Sequence, residues 1–111
     1  MKLVYVCSPF SADPITNIER AKRYCRDISL QMRHVVPFSP LLLFPQFLDE
    51  EKQRDLALNM CLETLSRCDE VWVYSHDGTI SAGMKHELQQ AKQMGKKIRY
   101  ISESLKGVEE N

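Results

Sequence analysis

Four short runs rich in β-branched and aromatic residues, at 2–7, 34–38, 71–74 and 97–101, alternate with three longer stretches of helical periodicity. Strands that alternate with helices leave few folds open, the simplest being a parallel sheet joined by right-handed crossovers with helices on both faces. The pattern predicts an α/β fold: a single-domain three-layer sandwich around a doubly wound, flavodoxin- or Rossmann-like sheet of strand order 2-1-3-4. In such a sheet the chain reverses direction between the first and third strands, and ligands bind beyond the carboxyl ends of those strands. Cys7, Ser8 and Pro9, together with Ser75, His76, Asp77 and Gly78, are expected to line that crevice.

The first helix is marked by Asp13-Pro14, a cap followed by a first-turn proline, with 16–19 offering a competing capping box. Ile18, Ala21, Cys25, Ile28 and Met32 then recur at helical spacing. A second helix is expected over 49–68, with Leu58, Cys61, Leu62 and Leu65 on one stripe, and a third over 83–94, with Gly95 as the residue that ends it. Between the second strand and the second helix, 41–47 is apolar but interrupted by Pro45, which suits a lid, a subunit contact or both. The domain is expected to span 1–101, leaving 102–111 as a polar tail.

The 15 basic and 15 acidic side chains cancel, and no Lys/Arg block is interleaved with aromatics, which disfavours a polymeric nucleic-acid partner. No apolar run approaches membrane-spanning length, and the amino terminus runs directly into a strand pattern, so a cytoplasmic protein is expected. Cys7, Cys25, Cys61 and Cys68 show no C-x-x-C pairing and no histidines at zinc-ligand intervals, so no metal is expected. Cys25, Cys61 and Cys68 read as buried reduced thiols. Cys7 ends the first strand, where a nucleophile would be presented, but the phosphatase-like spacing of Cys, five residues and Arg fails because Asp13 holds the arginine position.

The chemistry concentrates at 81–87. These residues follow the third strand and open the third helix, where free backbone N–H groups suit an anionic or sugar-like ligand. Met84, Leu88 and Ala91 form the stripe that faces the sheet, and Glu87 lies on or beside it, either snorkelling outward or aimed at the crevice. The fingerprints of dinucleotide oxidoreductases, P-loop NTPases and α/β-hydrolases are absent. A carboxylate near a phenol, Tyr5, surrounded by small hydroxyl and backbone groups, suits displacement at a sugar anomeric carbon. His76 and His86 read as exposed polar residues, with a leaving-group acid as their alternative role.

Tyr5-Val-Cys-Ser-Pro-Phe10, Asn17 with Arg20 and Ala21, Cys68-Asp69-Glu-Val-Trp-Val73, and Ser81-x-Gly83-Met-x-x-Glu87-Leu-x-x-Ala91 together resemble the nucleoside 2-deoxyribosyltransferase superfamily. The spacing is most similar to its small branch of 2′-deoxynucleoside 5′-monophosphate N-hydrolases. The resemblance implies that Glu87 is the nucleophile at C1′, that the Tyr5 hydroxyl orients it, and that Ser81 and Gly83 meet the 5′ end, where serine points to a phosphorylated substrate. It implies no metal or organic cofactor and a small-molecule deoxynucleoside or deoxynucleotide as the partner, while the apolar surface of 41–47 itself fits a homodimer or higher homo-oligomer contact better than an interaction module for other proteins. Two departures stand out. Cys61 occupies the place of a sugar-holding aspartate, for which Asp55, Glu63 or Asp77 would have to compensate. Ser8-Pro9-Phe10-Ser11 replaces the glycine-, serine- and arginine-containing first loop, leaving Arg20 either as a substitute source of positive charge or as a solvated surface arginine. The expected activity is therefore N-glycosidic cleavage or transfer, with a catalytically impaired nucleotide-binding or sensor protein as the alternative.

Overall fold

The computed structural model describes residues 1–101 and, as backbone only, 108–110. The elements run β1 (Lys2–Cys7), α1 (Pro14–Gln31), β2 (Val35–Phe38), α2 (Pro40–Leu43), a 3₁₀ turn (Phe44–Gln46), α3 (Arg54–Arg67), β3 (Glu70–Tyr74), α4 (Ala82–Gln93), β4 (Lys97–Ile101) and β5 (Val108–Glu110). The first four strands are parallel in the order β2-β1-β3-β4, as the β/α alternation requires. Within the segment expected as a polar tail, β5 pairs antiparallel with β4, in the register Arg99 with Glu110, and so forms the sheet edge.

Alternate residues of the central strands feed two separate cores. Tyr5, Cys7, Val71 and Val73 point to the face covered by α3 and α4, where Leu65, Met84, Leu88 and Ala91 meet them. Val4, Val6, Trp72 and Tyr74 point to the other face and pack on Tyr24 and Ile28 of α1. A central parallel strand buried on both faces reads as an unbroken apolar run, which is why β1 and β3 are so plain in the sequence. Asp69 joins them at the amino end: its carboxylate accepts from the Leu3 N–H at 2.8 Å, and its own N–H donates to the Leu3 carbonyl at 2.7 Å.

Local chemistry sets the helix limits. Asp13 wins over the competing box, its carboxylate accepting from the Thr16 N–H at 3.3 Å with Pro14 in the first turn. Gly95, at φ 73°, ends α4 in a left-handed conformation that glycine adopts without strain. There the Lys96 N–H reaches the Ala91 carbonyl and the Gly95 N–H that of Lys92, which closes a Schellman motif. The second long helix starts at Arg54, five residues later than the periodicity suggests. Asp49 causes the delay, because its carboxylate takes the N–H groups of Glu51 and Lys52, both at 2.9 Å, and holds 49–53 as a turn. Among the described residues no helix is long and apolar enough to cross a membrane.

Candidate active site

Beyond the carboxyl ends of β1 and β3 lies a cavity of about 200 Å³, lined in part by Ser8, Phe10, Cys61, Ser81, Gly83 and Glu87. Its position is the topological switch point of the sheet. Glu87 projects from the second turn of α4 toward the end of β1, and its carboxylate is engaged on both oxygens. The Tyr5 hydroxyl donates to Oε2, and the Cys7 thiol donates to Oε1 at 3.6 Å. Two donors from alternate positions of one strand therefore fix the carboxylate plane, because residues two apart on a strand share a face.

Both donors keep their protons. Burial, reinforced by the charge of Glu87, pushes the Tyr5 phenol well above its usual range, and does the same to the Cys7 thiol. Burial also raises the Glu87 carboxyl, while the hydrogen bonds from Tyr5 and Cys7 pull it back down. The result is a carboxylate with little water around it, held by neutral donors and facing open space. That is a suitable state for an oxygen nucleophile, which loses reactivity when fully hydrated and aim when unsupported.

At the α4 end of the cavity, Ser81 caps the helix by accepting from the Met84 N–H at 3.3 Å. The first-turn N–H groups of α4 lie beside it and have no partner within the helix. A Cβ at Gly83 would meet nothing within 4 Å, so packing of the chain on itself does not demand the glycine there. Ser8 is buried, and its hydroxyl lacks a partner among the described residues. A buried hydroxyl that lines a cavity and bonds to nothing is a group a ligand can satisfy.

The α2 and α3 wall is mostly apolar. Leu41 and Phe44, both buried, and Leu58 face the cavity, so the proline-interrupted segment forms a side of the site. Phe44 stands 6.1 Å from Phe38, which in turn stands 6.0 Å from the Tyr5 ring, centroid to centroid. These aromatics carry the wall's packing through to the residue that orients Glu87.

Two of the expected binding residues lie elsewhere. Arg20 turns back along α1, where its guanidinium donates to Asn17 Oδ1 at 3.4 Å; buried Asn17 in turn donates to the Phe10 carbonyl at 3.0 Å. It supports the β1–α1 loop and is not part of the cavity lining. Asp77 is exposed and serves its own turn, accepting from the Thr79 N–H at 2.9 Å and the Ser75 hydroxyl at 3.2 Å. Of the three carboxylates considered as stand-ins at the Cys61 position, none lines the cavity, and Glu63 is bonded to Arg67 at 2.9 Å on an exposed face. His76 and His86 are exposed. Cys61, expected as a buried thiol, is half-buried and faces the cavity, and burial with the charge of Glu87 pushes it up to about 11. All four cysteines are free, and among the described residues no cluster suits a metal ion.

The sequence reading missed Glu50 and Arg54, which line the cavity beside the start of α3. Both fell within what periodicity made a continuous helix from 49. The available signal was Asp49 itself, since Asp followed by turn-compatible residues and Gln53 marks a cap and not a helix interior.

A family model described as "Domain of unknown function (DUF7768)" matches residues 2–101. No curated protein matches the chain. Among solved structures, a 2-deoxyribosyltransferase from the psychrotolerant bacterium Bacillus psychrosaccharolyticus, described as a biocatalyst for the synthesis of antiviral and antitumoral nucleosides, aligns with a TM-score of 0.63 at 22% identity. The alignment covers 90% of this chain and 72% of that one, and it shows a shared fold.

Proposed function

The chain belongs to the DUF7768 family, and from the geometry of its site we propose that it cleaves or transfers the N-glycosidic bond of a 2′-deoxynucleoside or its 5′-monophosphate, with Glu87 as the nucleophile. The observation that carries this reading is the Glu87 carboxylate, gripped by Tyr5 and Cys7 and open to the cavity on its remaining side. Glu87 attacks C1′ as the base departs, giving a 2-deoxyribosyl ester that water or a second base then resolves. The apolar wall of Leu41, Phe44 and Leu58 suits a planar base. The start of α4, with Ser81, suits a 5′-phosphate, because the helix dipole and free N–H groups favour an anion and no carboxylate repels it there. The shared fold with a 2-deoxyribosyltransferase fits this activity.

The test is incubation with the common deoxynucleosides and their 5′-monophosphates while free base is followed. Base release by the wild type and its loss in Glu87→Ala are expected. No release from any substrate would reject the reading, and activity surviving in the variant would reject the residue.

One observation favours a second reading, a binding or sensor protein on the same scaffold. Cys61 presents a neutral thiol to the cavity, which cannot replace a carboxylate as acceptor or proton carrier. Calorimetric titration that finds binding without turnover, together with activity gained in Cys61→Asp, would favour it. The free thiols suit a reducing cytoplasm. Exposed Leu43 and Phe47, next to the wall-forming Leu41 and Phe44, suit a contact between copies of the chain.

A further inference from the structure

A nucleophilic carboxylate completes only half of a hydrolytic cycle, since the ester it forms must be opened by water that has lost a proton to some base. Among the described residues, only one other carboxylate lines the cavity with Glu87: Glu50. It stands in the turn that precedes α3, and that turn is well tied. Asp49 accepts from the N–H groups of Glu51 and Lys52, the Asp49 N–H donates to Gln53 Oε1 at 2.6 Å, and the Gln53 N–H donates to the Asp49 carbonyl at 2.9 Å. Glu50 is thus presented from a fixed backbone, exposed to solvent while lining the cavity. Its carboxylate has no hydrogen-bond or ion-pair partner among the described residues, although Arg54, one turn further on, lines the same cavity.

We propose that Glu50 is the general base of the hydrolytic step, which makes the cavity a two-carboxylate site and the protein a hydrolase. The inference rests on the reading of Glu87 as nucleophile. Water entering past Glu50 attacks C1′ of the 2-deoxyribosyl ester. Glu50 takes one proton from that water as the new C–O bond forms. The bond between C1′ and Glu87 breaks, its electron pair returns to the Glu87 carboxylate, and the free sugar leaves. Glu50 then gives its proton to solvent. The burial-raised thiol of Cys61 feels the charge of both Glu87 and Glu50, consistent with two carboxylates serving one small space. Transfer to a second base would require water to be shut out of the site, and an exposed carboxylate on the lining does the opposite.

Rapid-quench measurement of free base and intact-protein mass, on the wild type, Glu50→Gln and Glu50→Ala with 2′-deoxynucleoside 5′-monophosphates, tests this. Glu50→Gln should release about one base per chain in a burst and then turn over about 100-fold more slowly, while the 2-deoxyribosyl adduct accumulates on Glu87. Added azide, a nucleophile that needs no base, should restore turnover in Glu50→Ala and yield the glycosyl azide. Wild-type steady-state rates in both variants, or a burst that falls in step with turnover, would overturn the role of Glu50 and leave that of Glu87 standing. Absence of both base release and adduct in the wild type would remove the parent reading and this one together.

Discussion

The Tyr5 hydroxyl donates its hydrogen bond to the Glu87 carboxylate, joining the central strand to the second turn of α4 across 82 positions of sequence. Tyr5 is fully buried, and Cys7, two residues on, holds the other carboxylate oxygen. β1 therefore has two jobs. Val4 and Val6 serve the core on the α1 face, while Tyr5 and Cys7 deliver donors on the other face to one acidic group.

Tyr5→Phe keeps the ring and its packing on Phe38 but removes the donor to Glu87. The hydrogen bond favours the charged carboxylate, so its loss raises the Glu87 carboxyl further. As the proposed nucleophile, Glu87 must be ionised, so the acid limb of the rate profile should move to higher pH, with the plateau rate lower by roughly 10–100-fold. Base release measured against pH checks both effects. An unshifted acid limb would mean that Tyr5 does not control Glu87.

Glu87 also costs stability. Its carboxyl is raised by burial, so between the ordinary carboxylate range and the folded value the native chain holds more protons than the unfolded one. In that window stability falls as pH rises, and above it the cost is complete. Glu87→Gln keeps an acceptor for Tyr5 and removes the charge. It should melt close to the wild type at acid pH and above it at neutral pH, as thermal unfolding across a pH series would show. A variant that melts lower at neutral pH would indicate that the charged form is stabilised in the fold.

Much of this arrangement is legible in the sequence alone. The β/α alternation dictated the sheet order, and Glu87 declared itself by standing beside the stripe of Met84, Leu88 and Ala91, all buried in the structure. Tyr5 followed, because its strand had to be adjacent at the switch point. Positions whose direction depends on a few dihedral angles were not legible. Arg20 lies one turn along α1 from Asn17, and which way its side chain runs is decided by that neighbour's side-chain Oδ1. Asp77 is claimed by the N–H of Thr79, a local competition that a search for long-range partners overlooks. Glu50 was hidden because periodicity extends a helix until a capping side chain stops it, and Asp49 stops it in the opposite direction from the one sought.

At the far end of the sheet, Glu70 is buried on β3 and accepts from Lys2 of β1, from Arg99 of β4 at 2.8 Å and from the Trp72 indole at 3.0 Å. Burial alone would raise its carboxyl, but the bonds from Lys2, Trp72 and Arg99 outweigh that and bring it down to about 2. A lowered carboxyl stabilises the fold above the ordinary range, and the contribution is lost as pH falls toward the folded value. Glu70→Gln removes the buried carboxylate that accepts from Lys2, Trp72 and Arg99 and should cost about 1–3 kcal/mol at neutral pH. The deficit relative to wild type should shrink as pH falls below 4.5, the ordinary value for the group. Denaturant unfolding at several pH values measures it, and a pH-independent deficit would assign the loss to shape and not charge.

Ser81 offers a way to separate the two proposed substrate forms without disturbing the helix. Its side chain caps α4 through the Met84 N–H and faces the cavity. Aspartate is an equally good N-cap, so Ser81→Asp preserves the cap and adds only a negative charge at the helix start. If the 5′-phosphate sits there, that charge repels it while leaving a plain nucleoside little affected. The expected result is a fall of roughly 100-fold in kcat/KM for the 5′-monophosphate, or about 2.7 kcal/mol of transition-state binding, with the nucleoside changed less than threefold or improved. Equal losses on both substrates would place the phosphate elsewhere and leave Ser81 with only its capping role.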